Sequence, residues 1–208
     1  MEIYRDNPKA ACGCCATVAA LVIAIAVLVF CAGTVEPIEY GLVFSTLSKN
    51  IDASAGVYEG GWYIIGPVNK FLSFPRTQVN VDFSELPGSK QKPVQVRLTT
   101  KNLIRLSFSF QYQLFKEKLT ELYSLSNMQY EKNQILTKAE LAVKLEALNY
   151  TTDEYYGKRK EIGDAFCKAI TREVVFAKCT GFQLLTIDFE EIFENSLTKT
   201  QVEKQKKF

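Results

Sequence analysis

The chain has 208 residues, of which 25 are basic and 23 acidic, and it contains no histidine. A net charge of +2 is too weak a field to argue for a nucleic-acid partner. Without imidazole there is no Ser–His or Cys–His nucleophile pair, no histidine metal ligand and no imidazole acid–base group. Carboxylate or lysine chemistry stays open. Yet the sequence shows no Gly-rich phosphate loop, no Gly-x-Ser-x-Gly turn and no isolated carboxylate pair in an apolar setting. The expectation is a protein that is not an enzyme, with no catalytic, cofactor-binding or metal-binding residues and no small-molecule substrate.

After a tail over residues 1–9, the run Ala10–Ala32 carries no charge and no proline, and Thr17 is its one hydroxyl. That is the length a helix needs to cross a hydrocarbon core of about 30 Å. A membrane helix is therefore predicted over 10–32, with Leu21, Val22, Ile23, Ile25, Val27, Leu28, Val29 and Phe30 as the lipid anchor. Ala19, Ala20, Ala24 and Ala26 are small enough to let a second helix approach closely, the alternative being that they face lipid. A cleaved secretory signal ending near Cys31-Ala32-Gly33 is a competing reading, although its apolar core would be shorter. A buried core helix would need a polar face that this run lacks.

Arg5 and Lys9 precede the run, and no basic residue follows it until Lys49. Lys and Arg set orientation, so the tail is expected on the inner side and the rest on the outer. If that outer side were a secretory lumen, Asn149-Tyr150-Thr151 would be an available glycosylation sequon; the plain alternative is a chance triplet ahead of a helix. Cys12, Cys14 and Cys15 are candidates for acylation if their end faces the cytosol, or else simply small packing residues. Cys167 and Cys179 form no disulfide framework in this reading. On one helix they would stand about 18 Å apart, too far to bond.

From Val35 to Phe115 the signals are strands and turns. Strands are expected at Ile38–Phe44, Trp62–Ile65 after Gly60-Gly61, Phe71–Phe83 with a break at Pro75, and from Val94. Trp62 and Tyr63 suit either a membrane interface or a core. Leu103–Phe115 alternates strictly, with Ile104, Leu106, Phe108, Phe110, Tyr112 and Leu114 on one face and polar residues on the other. Helices follow over Lys116–Leu125 and Met128–Leu148. Thr151 and Glu154 have capping-box spacing ahead of a long helix whose stripe is Ile162, Phe166, Ile170, Val174 and Ala177, closed by Gly181. Phe182–Phe189 returns to strand with Leu185, Ile187 and Phe189 facing one way, and 190–208 reads as a polar helix with Phe193, Leu197 and Phe208.

The order of elements carries a resemblance. Val35-Glu-Pro-Ile-Glu-Tyr-Gly-Leu-Val, Gly61-Trp-Tyr-Ile-Ile-Gly-Pro, Phe74-Pro-Arg-Thr-Gln-Val-Asn-Val-Asp, the strand within Val94–Leu114 and the helix Thr152–Lys178 together resemble the SPFH, or Band-7, superfamily of stomatin, prohibitin and flotillin. The resemblance implies an α+β fold: a single N-terminal transmembrane helix (10–32), then a domain over 33–189 with a twisted, mostly antiparallel sheet and helices on one side, then 190–208. Thr100-Lys101-Asn102 stands where relatives commonly have Thr-x-Asp. The family's long coiled coil is begun by Gln201-Val-Glu-Lys-Gln and is truncated or absent.

By that resemblance the expected function is a non-catalytic membrane-anchored scaffold or accessory subunit, held to membrane lipid and to other membrane-protein subunits in a hetero-oligomer. A self-associating organiser of membrane microdomains is the alternative, and a membrane-bound enzyme a distant third. The prohibitin-like plan places the protein in the mitochondrial inner membrane with its domain in the intermembrane space. A stomatin-like plan would place it at the plasma membrane or endomembranes.

Overall fold

The computed structural model describes residues 8–99 and 103–189; for Pro8–Thr17, Ala53, Asp153, Tyr156 and Phe189 it describes the backbone alone. The expected turn Thr100–Asn102, the polar segment 190–208 and the start of the tail lie outside the described residues. The chain divides between Phe74 and Pro75 into two compact units.

The first unit opens with helix α1 (Pro8–Phe30), two residues earlier at each end than the apolar run. Its 23 residues span about 35 Å at 1.5 Å per residue. Among the described residues no helix is long and apolar enough to cross a membrane; in α1 the described side chains begin at Val18. Strand β1 (Ala32–Val35) follows after Cys31, where the expectation had the helix continuing. Strands β2 (Glu39–Ser45), β3 (Asn50–Ile51), β4 (Val57–Tyr58), β5 (Gly61–Ile64) and β6 (Asn69–Pro75) complete the unit.

These strands make two sheets where one was expected: β1 with β5, and β2 with β3, β4 and β6. β3 pairs with the end of β2 through Phe44↔Ile51, and β4 with its middle through Leu42↔Val57. Gly60 is required by close approach: a Cβ there would lie 2.5 Å from the Pro37 Cα. Asp52 caps the short turn Ala53–Ala55 by accepting the Ser54 N–H at 3.0 Å.

The second unit is built on β7 (Val79–Phe83), β8 (Val94–Arg97), β9 (Leu103–Leu114) and β10 (Ala177–Phe189), all antiparallel neighbours of β9. The alternation predicted for β9 holds: Ile104, Leu106, Phe108, Phe110, Tyr112 and Leu114 are all buried. Helices α2 (Leu119–Ser126), α3 (Thr137–Ala147), α4 (Thr152–Gly157) and α5 (Arg159–Glu173) follow. α3 packs on β8 and α5, and α5 lies along β10. An aromatic spine joins the layers, with Phe108 stacked 4.6 Å from Phe83 and 5.1 Å from Phe182, which meets Phe166 of α5 at 5.3 Å.

Four expectations change in this unit. The helical stretch after Met128 is interrupted by a π-helical turn over Glu131–Leu136, tied to the β7–β8 connection by a Lys90–Glu131 ion pair. The long helix breaks at Lys158 into α4 and α5 and stops at Glu173, so that Ala177 and Gly181 belong to a strand. The β-branched pair Val174-Val175 continues a helix poorly; the chain turns at Val175-Phe176, with the Ala177 N–H donating to the Val174 carbonyl, and from Ala177 it pairs with β9. Because the chain reverses there, Cys167 and Cys179 do not share a helix. Their Cα atoms are 5.4 Å apart and their sulfurs are bonded. Finally, a register shift between Leu184 and Thr186 turns Leu185 outward to 40% exposure, away from the side it was expected to share with Ile187.

Candidate membrane and partner interface

In α1 every side chain from Val18 to Phe30 is exposed, including Leu21, Val22, Ile23, Ile25, Val27, Leu28 and Val29. Ala19 and Ala26 are seven residues apart and Ala20 and Ala24 four, so they form two neighbouring stripes rather than one line. Cys12, Cys14 and Cys15 fall where the backbone alone is described.

The end of α1 is tied to the end of β5. The Cys31 carbonyl accepts N–H bonds from Ile65 at 2.9 Å and Gly66 at 3.2 Å. From there β1 pairs with β5 through Ala32↔Ile64, Gly33↔Tyr63 and Thr34↔Trp62. Strand alternation sends Trp62 and Tyr63 to opposite sides of the ladder. Trp62 and Ile64 point the same way and are each 60% exposed. Tyr63 points to the other side, where its hydroxyl donates to the Glu59 carbonyl at 2.9 Å and its ring sits 4.8 Å from Tyr58. Tyr58 in turn meets Phe71 at 5.3 Å. So the indole stands out next to the end of α1, while the phenol belongs to a small aromatic cluster.

A second exposed apolar line lies on α3, where sequence reasoning singled out no site residue. Leu141, Leu145 and Leu148, the last just beyond the helix, are each about half exposed, whereas Ala139, Ala142, Val143 and Ala147 are buried. The signal was present: two apolar stripes compete in Thr137–Leu148, one of small residues and one of leucines. Hydrophobicity alone favours burying the leucines. Close packing of α3 on β8 and α5 selects the small stripe instead.

The open face of the second unit's sheet carries a shallow groove lined by Asn80, Ser109, Gln111, Gly181, Phe182 and Gln183. Its polar groups bond to one another, Ser109 Oγ to Asn80 Oδ1 at 3.0 Å and Asn80 Nδ2 to Asp82 Oδ1 at 3.1 Å. Amides and a hydroxyl of this kind can hold a hydrogen-bonding surface but do not move protons at neutral pH.

The titrating groups point the same way. Burial, with Glu131 nearby, pushes the Tyr112 phenol well up and that of Tyr130 to about 12; burial also raises Tyr155, so all three stay neutral. Glu154 is held low by the Thr151 N–H and hydroxyl, each donating to its carboxylate at 3.0 Å, with Lys158 adding to this. Asp52 is lowered by its bonds from Ser54. Both carboxylates move away from the direction a general acid requires. Among the described residues there is no group of three or more His, Cys, Asp or Glu that would hold a metal ion.

The family described as SPFH domain / Band 7 family matches residues 34–207, nearly all of the chain beyond α1 and its immediate connection. No curated protein matches the chain.

Proposed function

The chain belongs to the SPFH / Band 7 family, and on that premise we propose that it is a membrane-anchored scaffold or accessory subunit that does no chemistry itself. Members of this family are generally non-enzymatic scaffolds that associate with membranes and oligomerise. The observation that carries the reading is the continuity of two apolar features: α1, with every described side chain exposed, runs through Cys31 into β1, whose antiparallel partner β5 presents Trp62 and Ile64 outward. Exposed apolar side chains on this scale mark contact with lipid or with another protein. In this proposal α1 crosses the bilayer, Trp62 sits at its interface, and the alanine stripes of α1 meet a helix of a partner subunit.

Alkaline carbonate extraction of membranes tests the anchor. The protein is expected to stay in the pellet and to enter detergent as part of a larger assembly; release by carbonate would end the reading. Replacing Ala20 or Ala24 with Phe is expected to detach the chain from that assembly without extracting it from the membrane, and unchanged stoichiometric co-purification would remove α1 as the docking surface. Trp62 is the one tryptophan of the chain, so its fluorescence reports this position alone. Its emission is expected to shift to the blue in vesicles and to be quenched by acyl-brominated lipid. A water-like, unquenched spectrum would take Trp62 away from the membrane.

A second reading, self-association into membrane microdomains, draws on the exposed line Leu141–Leu145–Leu148, which can meet its own copy across a two-fold axis. Expression of the chain alone separates the two. The self-associating form would reach full assembly size unaided, whereas the subunit form would not.

A further inference from the structure

α5 is fastened to β10 at both places where β10 loses register with β9. At the shift between Leu184 and Thr186, the Arg159 guanidinium donates to the carbonyls of Leu184 at 3.1 Å and Leu185 at 2.7 Å. At the shift between Cys179 and Gly181, the Cys179 N–H donates to Thr171 Oγ1 at 3.1 Å, and that hydroxyl donates to the Cys167 carbonyl at 2.9 Å. A bulge takes backbone groups out of the ladder, and here helix side chains receive them. Beside the second shift lies the Cys167–Cys179 bond, with a sequence separation of 12. The polar fastenings form in any compartment; the sulfur bond does not.

We propose that Cys167–Cys179 is a permanent cross-link made by a thiol–disulfide oxidoreductase, and that the second unit therefore works in an oxidising compartment, away from the cytosol. The chemistry balances. One cysteine, as thiolate, attacks the oxidoreductase disulfide; the second displaces the oxidoreductase from the mixed disulfide. The two thiols lose two protons and two electrons, and the oxidoreductase leaves as a dithiol.

Two observations and one general rule support the assignment. The Cα separation of 5.4 Å falls within the range a disulfide spans, so no backbone movement is needed to close it. Cys179 is 6% exposed and Cys167 half-buried, which suits a structural bond rather than an exchanging dithiol. Structural disulfides persist in secretory and similar spaces and are rare in reducing cytosol. On the spanning reading of α1, Arg5 and Lys9 ahead of the apolar run 10–32 point in the same direction. A secretory lumen and the mitochondrial intermembrane space are two of the oxidising spaces that border a membrane. Asn149 distinguishes them. It is exposed in the turn between α3 and α4 and heads the sequon Asn149-Tyr150-Thr151, which only a secretory lumen glycosylates.

The test begins with cells quenched in acid, alkylated without reductant and digested with trypsin. The peptide 161–168, carrying Cys167, is expected to appear joined to 179–199, carrying Cys179. Recovery of both cysteines as alkylated thiols would overturn the proposal. In the purified full chain, reductant is expected to lower the melting temperature by about 5–10 °C. The double variant Cys167→Ser/Cys179→Ser, which keeps the Arg159 and Thr171 fastenings, is expected to fold and melt at that lower value. A melt indifferent to reductant would overturn the cross-link. A glycosidase-sensitive mobility shift lost in Asn149→Gln places the unit in a secretory lumen; no shift, with protease protection inside intact mitochondria, places it in the intermembrane space. Digestion of the second unit from the cytosolic side would overturn either placement. Release by carbonate alongside a joined peptide would sink the anchor and leave the cross-link standing.

Discussion

Among the described hydrophobic residues of the first unit, Val35, Leu42, Val43 and Phe74 are buried, while Val18, Phe30, Ile38, Leu47, Trp62 and Ile64 are more than half exposed. In the second unit the apolar face of β9, the stripe of α5 and most of α3's small residues are buried together. Among the described residues the first unit has short strands in two small sheets and, apart from α1, no α-helix to cover them, whereas the second has four strands that helices close over. A sheet needs a covering layer to hide its apolar face, and only one unit supplies its own. The contrast teaches that the second unit stands on its core. The first leaves most of its large apolar side chains uncovered.

The largest effect expected is therefore in the second unit. Phe108→Ala removes the ring that stacks between Phe83 and Phe182 and should cost about 3–5 kcal/mol in urea unfolding. The matching truncation in the first unit, Trp62→Ala, removes a side chain that is 60% exposed and should change stability by no more than about 0.5 kcal/mol. Equal costs for the two would erase the contrast between a self-closed and an open unit.

Next in size is the cross-link. Removing it with Cys167→Ser/Cys179→Ser lengthens the list of unfolded conformations and should cost about 3 kcal/mol. The loss should fall on α5 and β10, read as faster amide exchange in Arg159–Glu173 and Ala177–Phe189. If protection in those elements were unchanged, Arg159 and Thr171 alone would account for the fastening.

How much of this was legible in the sequence follows the same contrast. Long elements with one strong period were readable, because β9 buries every second residue and α5 every third or fourth. The expected stripe Ile162, Phe166, Ile170 and Val174 is buried even though the helix stops before Val174. What escaped depends on pairing between distant residues. The chain reversal after Glu173 brings Cys179 back to Cys167, and no spacing rule along one helix contains that reversal. The bulge that exposes Leu185 is likewise a property of β10 against β9. The two-residue strands β3 and β4 are too short to show a period. For the candidate interface, the apolar run was obvious, yet the separation of Trp62 from Tyr63 needed the register Thr34↔Trp62.

A smaller effect sharpens the reading of α4. Thr151→Ala removes one of the two Thr151 donors to Glu154 and should cost about 1 kcal/mol. Because the folded Glu154 carboxyl titrates below its ordinary 4.5, its contribution is complete above that pH and is lost as pH falls through the folded value. Glu154→Gln should flatten that acid limb of the stability curve and leave neutral-pH behaviour of the β-sheet unchanged. An unaltered acid limb would remove the cap from the account of α4.

The smallest effect expected concerns the core that makes the second unit self-sufficient. Tyr155 is fully buried against Tyr150 and Phe166, and among the described residues its hydroxyl and the Thr152 hydroxyl on the same helix have no hydrogen-bond partner. Burying an unpaired hydroxyl costs free energy that a methine would not. Tyr155→Phe keeps the ring and removes that cost, so thermal unfolding should shift by less than about 1 kcal/mol, upward if at all. A loss larger than that would mean the hydroxyl is paired in solution, so that polar bonds as well as apolar packing close this side of the second unit.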